Sequence, residues 1–373
     1  MSAGRLDRTK GLATPALSRK SAPILVVGGS GFLGCNVADS FLREGKDVIV
    51  LDNLSRAGVE RNLEWLVDNH GSAVHFVLAD IRELAEIEPV FKEAEAVFHF
   101  AAQTAVTTSL DEPIDDFETN ARGTINVLEA ARRANRRAPV IFASTNKVYG
   151  ALADMAMNAV GDRYVPVDEA PRRYGVGEAQ PLDFCTPYGC SKGVADQYVL
   201  DYAKSYGVPT AVLRMSCVYG PRQFGTEDQG WVAHFLIRAL AGEPISVYGD
   251  GKQVRDILHV GDAVAAYKAV LSSIERIQGR AFNLGGGPEN AVSVAEVLRE
   301  IELLTGRRLM TVRSDRRIGD QLFFVADTRA LQEALGWEAR TSWRAGLRDL
   351  HAWLLQDWIE VSKAQRQPRR VTA

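Results

Sequence analysis

Along the first 213 residues, short apolar runs stop abruptly and are each followed by a stretch of different periodicity. Ile24–Val27 ends at Gly28, and similar runs follow at 48–51, 74–78, 96–100, 140–143 and 211–213. Runs that are continuous rather than alternating fit strands of a parallel sheet, because both faces of such a sheet are covered. Helical stretches lie between them, for example at 116–133 and 188–205. Strand–helix alternation at this interval predicts an α/β fold built on a doubly wound parallel sheet. The rhythm loosens after Arg214, where Gly220-Pro221, Gly249-Asp250-Gly251 and Gly285-Gly286-Gly287 break the chain into short pieces. The expected organisation is a main domain from 22–213 and 252–284, a smaller C-terminal domain from 214–251 and 285–358, and tails at 1–21 and 359–373.

Charge excludes some functions. The 373 residues carry 47 acidic and 44 basic side chains, a formal net charge of -3, so nothing draws the chain generally to nucleic acid or to an anionic membrane. No apolar run reaches membrane-span length, and residues 1–21 lack the apolar core of a secretory signal. Cys35, Cys185, Cys190 and Cys217 stand at no zinc-ligand spacing, which predicts reduced thiols, no metal and a cytoplasmic location.

The segment Gly28-Gly29-Ser30-Gly31-Phe32-Leu33-Gly34 follows the first strand and opens a helix. Gly28 permits a tight turn, Gly31 lets the backbone approach a pyrophosphate, and Gly34 brings the helix close to the sheet. Spaced glycines also occur in ordinary turns; their position between strand and helix favours the Rossmann reading. Asp52 ends the second strand, where an acid accepts hydrogen bonds from an adenosine ribose, with Asn53 beside it. No arginine replaces that acid to receive a 2′-phosphate, although Arg56 lies nearby, so NAD is expected rather than NADP. The bland alternative for Asp52 is a helix cap. Asp80 and Ile81 follow the third strand, where adenine would lie; Ala101, Ala102 and Gln103 follow the fourth, where a backbone must pass close to the cofactor.

Tyr188 and Lys192 stand four apart, one helical turn, on the same face. A phenol titrating near 10 is a poor base at neutral pH. A neighbouring ammonium and a positive nicotinamide ring both favour phenolate. Thr145, at a strand end, places a hydroxyl where it could hold a substrate oxygen. Such Tyr–Lys pairs are common on surface helices, and the upstream glycines and Thr145 favour catalysis here.

The glycine loop, Asp52, Ser144-Thr145 followed by Val148-Tyr149-Gly150, Tyr188/Lys192, Arg255-Asp256 and Arg317-Ile318-Gly319-Asp320 resemble the extended short-chain dehydrogenase/reductases that act on nucleotide sugars. The resemblance runs from about Ile24 to Trp358. It implies that Tyr188 is the base, that Lys192 orients the nicotinamide ribose, and that Thr145 binds the reacting hydroxyl. It further implies a substrate site containing Arg222, Arg255, Arg317 and Asp320, with the arginines facing a sugar diphosphate, and a homodimer formed through the helices at 116–133 and 188–205. Surface salt bridging is the alternative for either Arg255 or Arg317 alone. Where 4,6-dehydratases of the family carry Asp-Glu after the catalytic Thr, this chain has Asn146-Lys147. That pair, with Gln103 through Ser109, Arg163-Tyr164, Leu182-Asp183-Phe184 and Asp228–Trp231, is similar to the branch that inverts C2 of a CDP-hexose of the paratose/tyvelose type. Gln103, Thr108 and Asn146 would then set the rotation of the sugar. Three rivals stand beside this reading: a UDP-sugar 4-epimerase, an NADP-dependent nucleotide-sugar reductase and a non-catalytic NAD-sensing protein.

Overall fold

The computed structural model describes residues 22–134 and 137–366. In chain order its strands are β1 (Ile24–Val27), β2 (Val48–Asp52), β3 (Val74–Leu78), β4 (Ala96–His99), β5 (Val140–Thr145), β6 (Met157–Val160), β7 (Arg163–Pro166) and β8 (Thr210–Met215). There follow β9 (Cys217–Tyr219), β10 (Ile245–Tyr248), β11 (Val254–His259), β12 (Arg280–Leu284), β13 (Ala291–Ser293), β14 (Thr311–Ser314) and β15 (Phe323–Phe324). Seven of them form one sheet in the order β12-β8-β5-β4-β1-β2-β3, every neighbouring pair parallel. Chain order reverses between β1 and β4, the switch point at which open α/β sheets bind ligands beyond the strand ends.

Burial explains why the apolar runs are unbroken. Every residue of β1, β4 and β5 is buried. Alternate side chains of β1 enter opposite cores: Ile24 and Val26 pack with the helix Phe32–Arg43, Leu25 and Val27 with Leu128 and Val199 on the other face. At roughly 25 cal/mol per Å² of apolar surface removed from water, burial on both faces is the dominant stabilisation of such a strand.

A smaller sheet joins β13, β11 and β15, with β9 also paired to β11. The whole of 252–284 was expected to return to the main sheet. β12 does, whereas Val254–His259 belongs to the smaller sheet, because β9 continues from β8 past Ser216 and offers β11 a parallel edge. The last helix runs Trp343–Arg366, past the expected boundary at 358; its Lys, Gln, Glu and Arg residues are good helix formers. Residues 1–21 and 367–373, expected as tails, lie outside the described residues. No described helix is long and apolar enough to cross a membrane.

Candidate active site

A cleft of about 400 Å³ runs along the C-terminal ends of the main-sheet strands. Residues following β1, β2, β3 and β4 line it on one side: Gly28, Gly31, Phe32, Leu33, Gly34, Asp52, Asn53, Asp80, Ile81, Ala101 and Ala102. Beyond β4 it is lined by Thr145, Asn146, Lys147, Tyr188 and Lys192, then by Cys217, Gln223 and residues 228–232.

The glycine loop shows whether a dinucleotide fits. Gly28 has φ +79°, and a Cβ there would lie 2.4 Å from the Ala101 nitrogen; at Gly34 a Cβ would lie 2.2 Å from the Gly28 oxygen. Neither position tolerates a side chain. Gly31, the N-cap of Phe32–Arg43, has no capping side chain, and a Cβ there would meet only Gly28 O, at 3.2 Å. The first N–H groups of that helix therefore face the cleft without a cap. The buried hydroxyl of Ser30 has no hydrogen-bond partner among the described residues. An uncapped helix start and an orphaned hydroxyl, both beside the cleft, suit the pyrophosphate of a dinucleotide.

Asp52 has a task in the fold itself. Its Oδ2 accepts from the Ser30 backbone at 3.0 Å and its Oδ1 from that of Leu54 at 2.9 Å, so the carboxylate ties the glycine loop to the end of β2. Burial raises its pKa while those bonds oppose the shift. Each carboxylate oxygen retains a lone pair for a ribose hydroxyl. Asn53 donates to Asp80 at 2.9 Å, and Asp80, also held by Arg82, titrates down at about 2, chiefly because of that guanidinium. Arg56 lines the cleft as well.

Tyr188 and Lys192 lie on the helix Thr186–Tyr206, both buried and one turn apart. Its first turn is held from outside: Tyr188 donates its backbone N–H to Ser109 Oγ at 3.1 Å, satisfying one of the orphan donors of a helix start. Thr186, a β-branched residue, sits at φ +67°, a left-handed conformation costing on the order of 1–3 kcal/mol where it persists. The electrostatics differ from expectation. Burial pushes the Tyr188 phenol up to about 12, and the opposing influence is a hydrogen bond from Thr145, not the Lys192 ammonium. Lys192 instead donates to the carbonyl of Ala143 at 2.7 Å and lies 4.0 Å above the Phe142 ring centroid. Burial brings it down to about 7, against the carboxylates of Asp196 and Asp116.

Of the expected substrate residues, Asn146 lines the cleft, where its amide donates to Gln321 Oε1 at 3.1 Å. The others are not among the lining residues. Arg255 donates to Asp320 at 2.6 Å and to Gln321 O at 2.7 Å. Arg317 stacks 3.8 Å from the Tyr248 ring centroid and reaches Asp228 at 3.4 Å. Arg222, at φ +73°, stacks 4.0 Å from the Trp65 centroid. Gln103 turns its side-chain amide back on its own loop, donating to Ala105 O at 2.8 Å. Thr108 is exposed.

Asn120 escaped the sequence reading. It lies in a π-helical turn, Glu118–Arg122, buried, where its Oδ1 accepts from Gln103 N at 2.9 Å. Its Nδ2 reaches Gln103 O at 3.0 Å and Ser191 Oγ at 3.1 Å. One side chain thus joins the loop after β4 to the helix carrying Tyr188 and Lys192. π-turns often mark functional sites, yet no local residue pattern announces this one.

The doubly wound parallel sheet, with a glycine-lined cleft at its switch point, is a Rossmann-like architecture. The chain belongs to the NAD dependent epimerase/dehydratase family, whose pattern it matches over residues 24–285, and NAD is its cofactor. It is 42% identical over 337 residues to a CDP-paratose 2-epimerase from Salmonella typhi, covering 88% of this chain and 98% of that protein. It is 32% identical over 356 residues to a dTDP-glucose 4,6-dehydratase from Neisseria meningitidis serogroup B, covering 90% and 93%. Among solved structures it is similar to the Thermus thermophilus UDP-glucose 4-epimerase in complex with NAD, with a TM-score of 0.75, 31% identity and coverage of 89% and 99%.

Proposed function

We propose that this enzyme inverts C2 of a CDP-linked hexose through a transient ketone, with Tyr188, Lys192 and Thr145 as its catalytic residues. The observation that carries the reading is the 42% identity, across nearly the full length of both chains, with the CDP-paratose 2-epimerase. The end of β5 supports it: Thr145 is followed by Asn146 and Lys147, so no carboxylate stands where elimination of water needs an acid and a base.

NAD bound along the glycine loop supplies acceptance and return of a hydride. Gly31 and the start of Phe32–Arg43 would hold its pyrophosphate, and Asp52 its adenosine ribose. Thr145 holds the C2 hydroxyl against Tyr188, and Tyr188, its raised phenol brought down by the Thr145 hydrogen bond and by the positive nicotinamide ring of bound NAD, takes the hydroxyl proton as C2 is oxidised. The same phenol returns the proton when the ketone, having presented its other face, is reduced. Lys192, anchored on Ala143, would hold the nicotinamide ribose. Net redox is zero, so the reaction as proposed would need no exchange of NAD between turnovers.

Incubation with CDP-paratose in deuterated water, read by NMR, tests the reaction. Inversion at C2 without solvent deuterium is expected; inversion at C4, or a 4-keto-6-deoxy product, overturns it.

The enzyme is further proposed to be a cytoplasmic homodimer. Ile114 is 74% exposed and Phe117 49% on the helix Pro113–Phe117, which packs against the Tyr188 helix, where Tyr198 is 44% exposed; these exposed apolar side chains support pairing with a second copy. A monomer in sedimentation at micromolar concentration overturns the assembly.

A further inference from the structure

Two cations share one carboxylate at the wall of the cleft. Arg255 Nη2 lies 2.6 Å from Asp320 Oδ1, and Lys147 Nζ lies 4.0 Å from the same oxygen while donating to Gly319 O at 3.1 Å. The groups facing the Lys147 ammonium are Arg255 from β11, Asp320, Cys217 from β9, and Cys185 just before the Tyr188 helix. The Cys217 thiol is pushed up by burial, which keeps it neutral. The cluster therefore holds one positive charge more than it balances. An unbalanced charge in a poorly hydrated wall is costly until an anion joins it. Burial and the Arg255 guanidinium accordingly bring the lysine down to about 8.

The excess charge is presented by Lys147. Lys147 lines the cleft with Tyr188 and Thr145, whereas Arg255 does not. Its backbone N–H donates to Thr145 Oγ at 3.2 Å, which fixes its main chain beside the threonine, while its ammonium is held by the carbonyl of Gly319 at 3.1 Å.

We propose that Lys147 binds the anionic diphosphate of the substrate and thereby sets how the attached sugar is presented to Tyr188 and Thr145. The inference rests on the reading of the substrate as a nucleotide-linked sugar. It assigns the accessible diphosphate contact to a residue at the end of β5, with Arg255 and Asp320 acting behind it.

Calorimetric titration of the NAD-loaded enzyme with CDP and with UDP, from pH 7 to 9.5, tests this, with cytidine as the probe lacking phosphate. A charge-assisted hydrogen bond is worth about 1.5–3 kcal/mol, which corresponds to roughly 10- to 100-fold in affinity. Wild type should therefore lose about tenfold or more in nucleoside-diphosphate affinity as Lys147 deprotonates above pH 8. Lys147→Arg should hold its affinity across that range, Lys147→Met should be weak and flat with pH, and cytidine binding should be the same in all three. If wild type binds CDP or UDP but neither pH nor Lys147→Met changes the affinity, the inference is overturned while the substrate reading stands. If wild type binds neither nucleotide, the substrate reading falls and the inference with it. Should Lys147→Met be unstable, Lys147→Arg and the wild-type pH profile decide the matter.

Discussion

Lys192 donates to the carbonyl of Ala143 at 2.7 Å, so the ammonium is tied to β5 two residues before Thr145. The phenol one turn earlier on the same helix is left to Thr145 for its hydrogen bond. That separation supports the proposed division of labour, with proton transfer assigned to Tyr188 and cofactor positioning to Lys192.

Tyr188→Phe should lower turnover by about 10²- to 10⁴-fold, the usual worth of a positioned proton-transfer group, while NAD binding stays within about twofold. Lys192→Met should weaken NAD binding and turnover together. Fluorescence titration with NAD beside steady-state assay of both variants checks the division; a Phe variant that keeps most of its turnover moves the chemistry elsewhere.

Asp52 binds the glycine loop through Ser30 and also faces the cleft. Asp52→Asn keeps hydrogen-bonding capacity but removes the charge that repels a 2′-phosphate. The preference for NAD over NADP should narrow by about tenfold or more, with Arg56 available to the phosphate. Direct titration with both dinucleotides measures it; an unchanged ratio removes Asp52 from cofactor selection.

Asp256 is fully buried, and burial raises its pKa to about 6 against hydrogen bonds from Ser216 and the backbone of Gly287 and Ala326. A raised carboxyl contributes stability that is fully present below its unfolded pKa, near 4, and is lost as pH rises through about 6. At 1.36 kcal/mol per unit, wild type should lose about 2 kcal/mol relative to Asp256→Asn between pH 4.5 and 7.5. Urea unfolding of both proteins at the two pH values reads this directly, and parallel curves would count against the raised carboxyl.

Beneath the site, Arg214 and Asp196 form a buried ion pair at 2.9 Å, and Ser144 donates to the same carboxylate at 2.8 Å. Asp196→Ala strands a buried guanidinium and should cost about 3–5 kcal/mol of stability. Replacing both partners by apolar residues should recover most of that loss, since no uncompensated charge remains. Thermal and urea melts of the single and double variants test the pair.

The chain's local order determined a good deal without help. Apolar runs such as Ile24–Val27 mark buried strands because a strand covered on both faces has no polar side to show. Gly28 and Gly34 mark their turn because any Cβ would collide with Ala101 or with Gly28 itself. Tyr188 and Lys192 share a face because helical periodicity is fixed by the backbone. Tertiary structure alone decided the rest. Arg255 pairs with Asp320, 65 residues away, and Asn120 reaches Ser191, 71 residues away, through contacts that no periodicity encodes. Burial, which exists only once these segments pack, raises the Tyr188 phenol and lowers the Lys147 and Lys192 ammoniums. Residue type and spacing are properties of neighbours in the chain, whereas the choice of ion-pair partner and the cost of desolvation are set by which distant segments exclude water together.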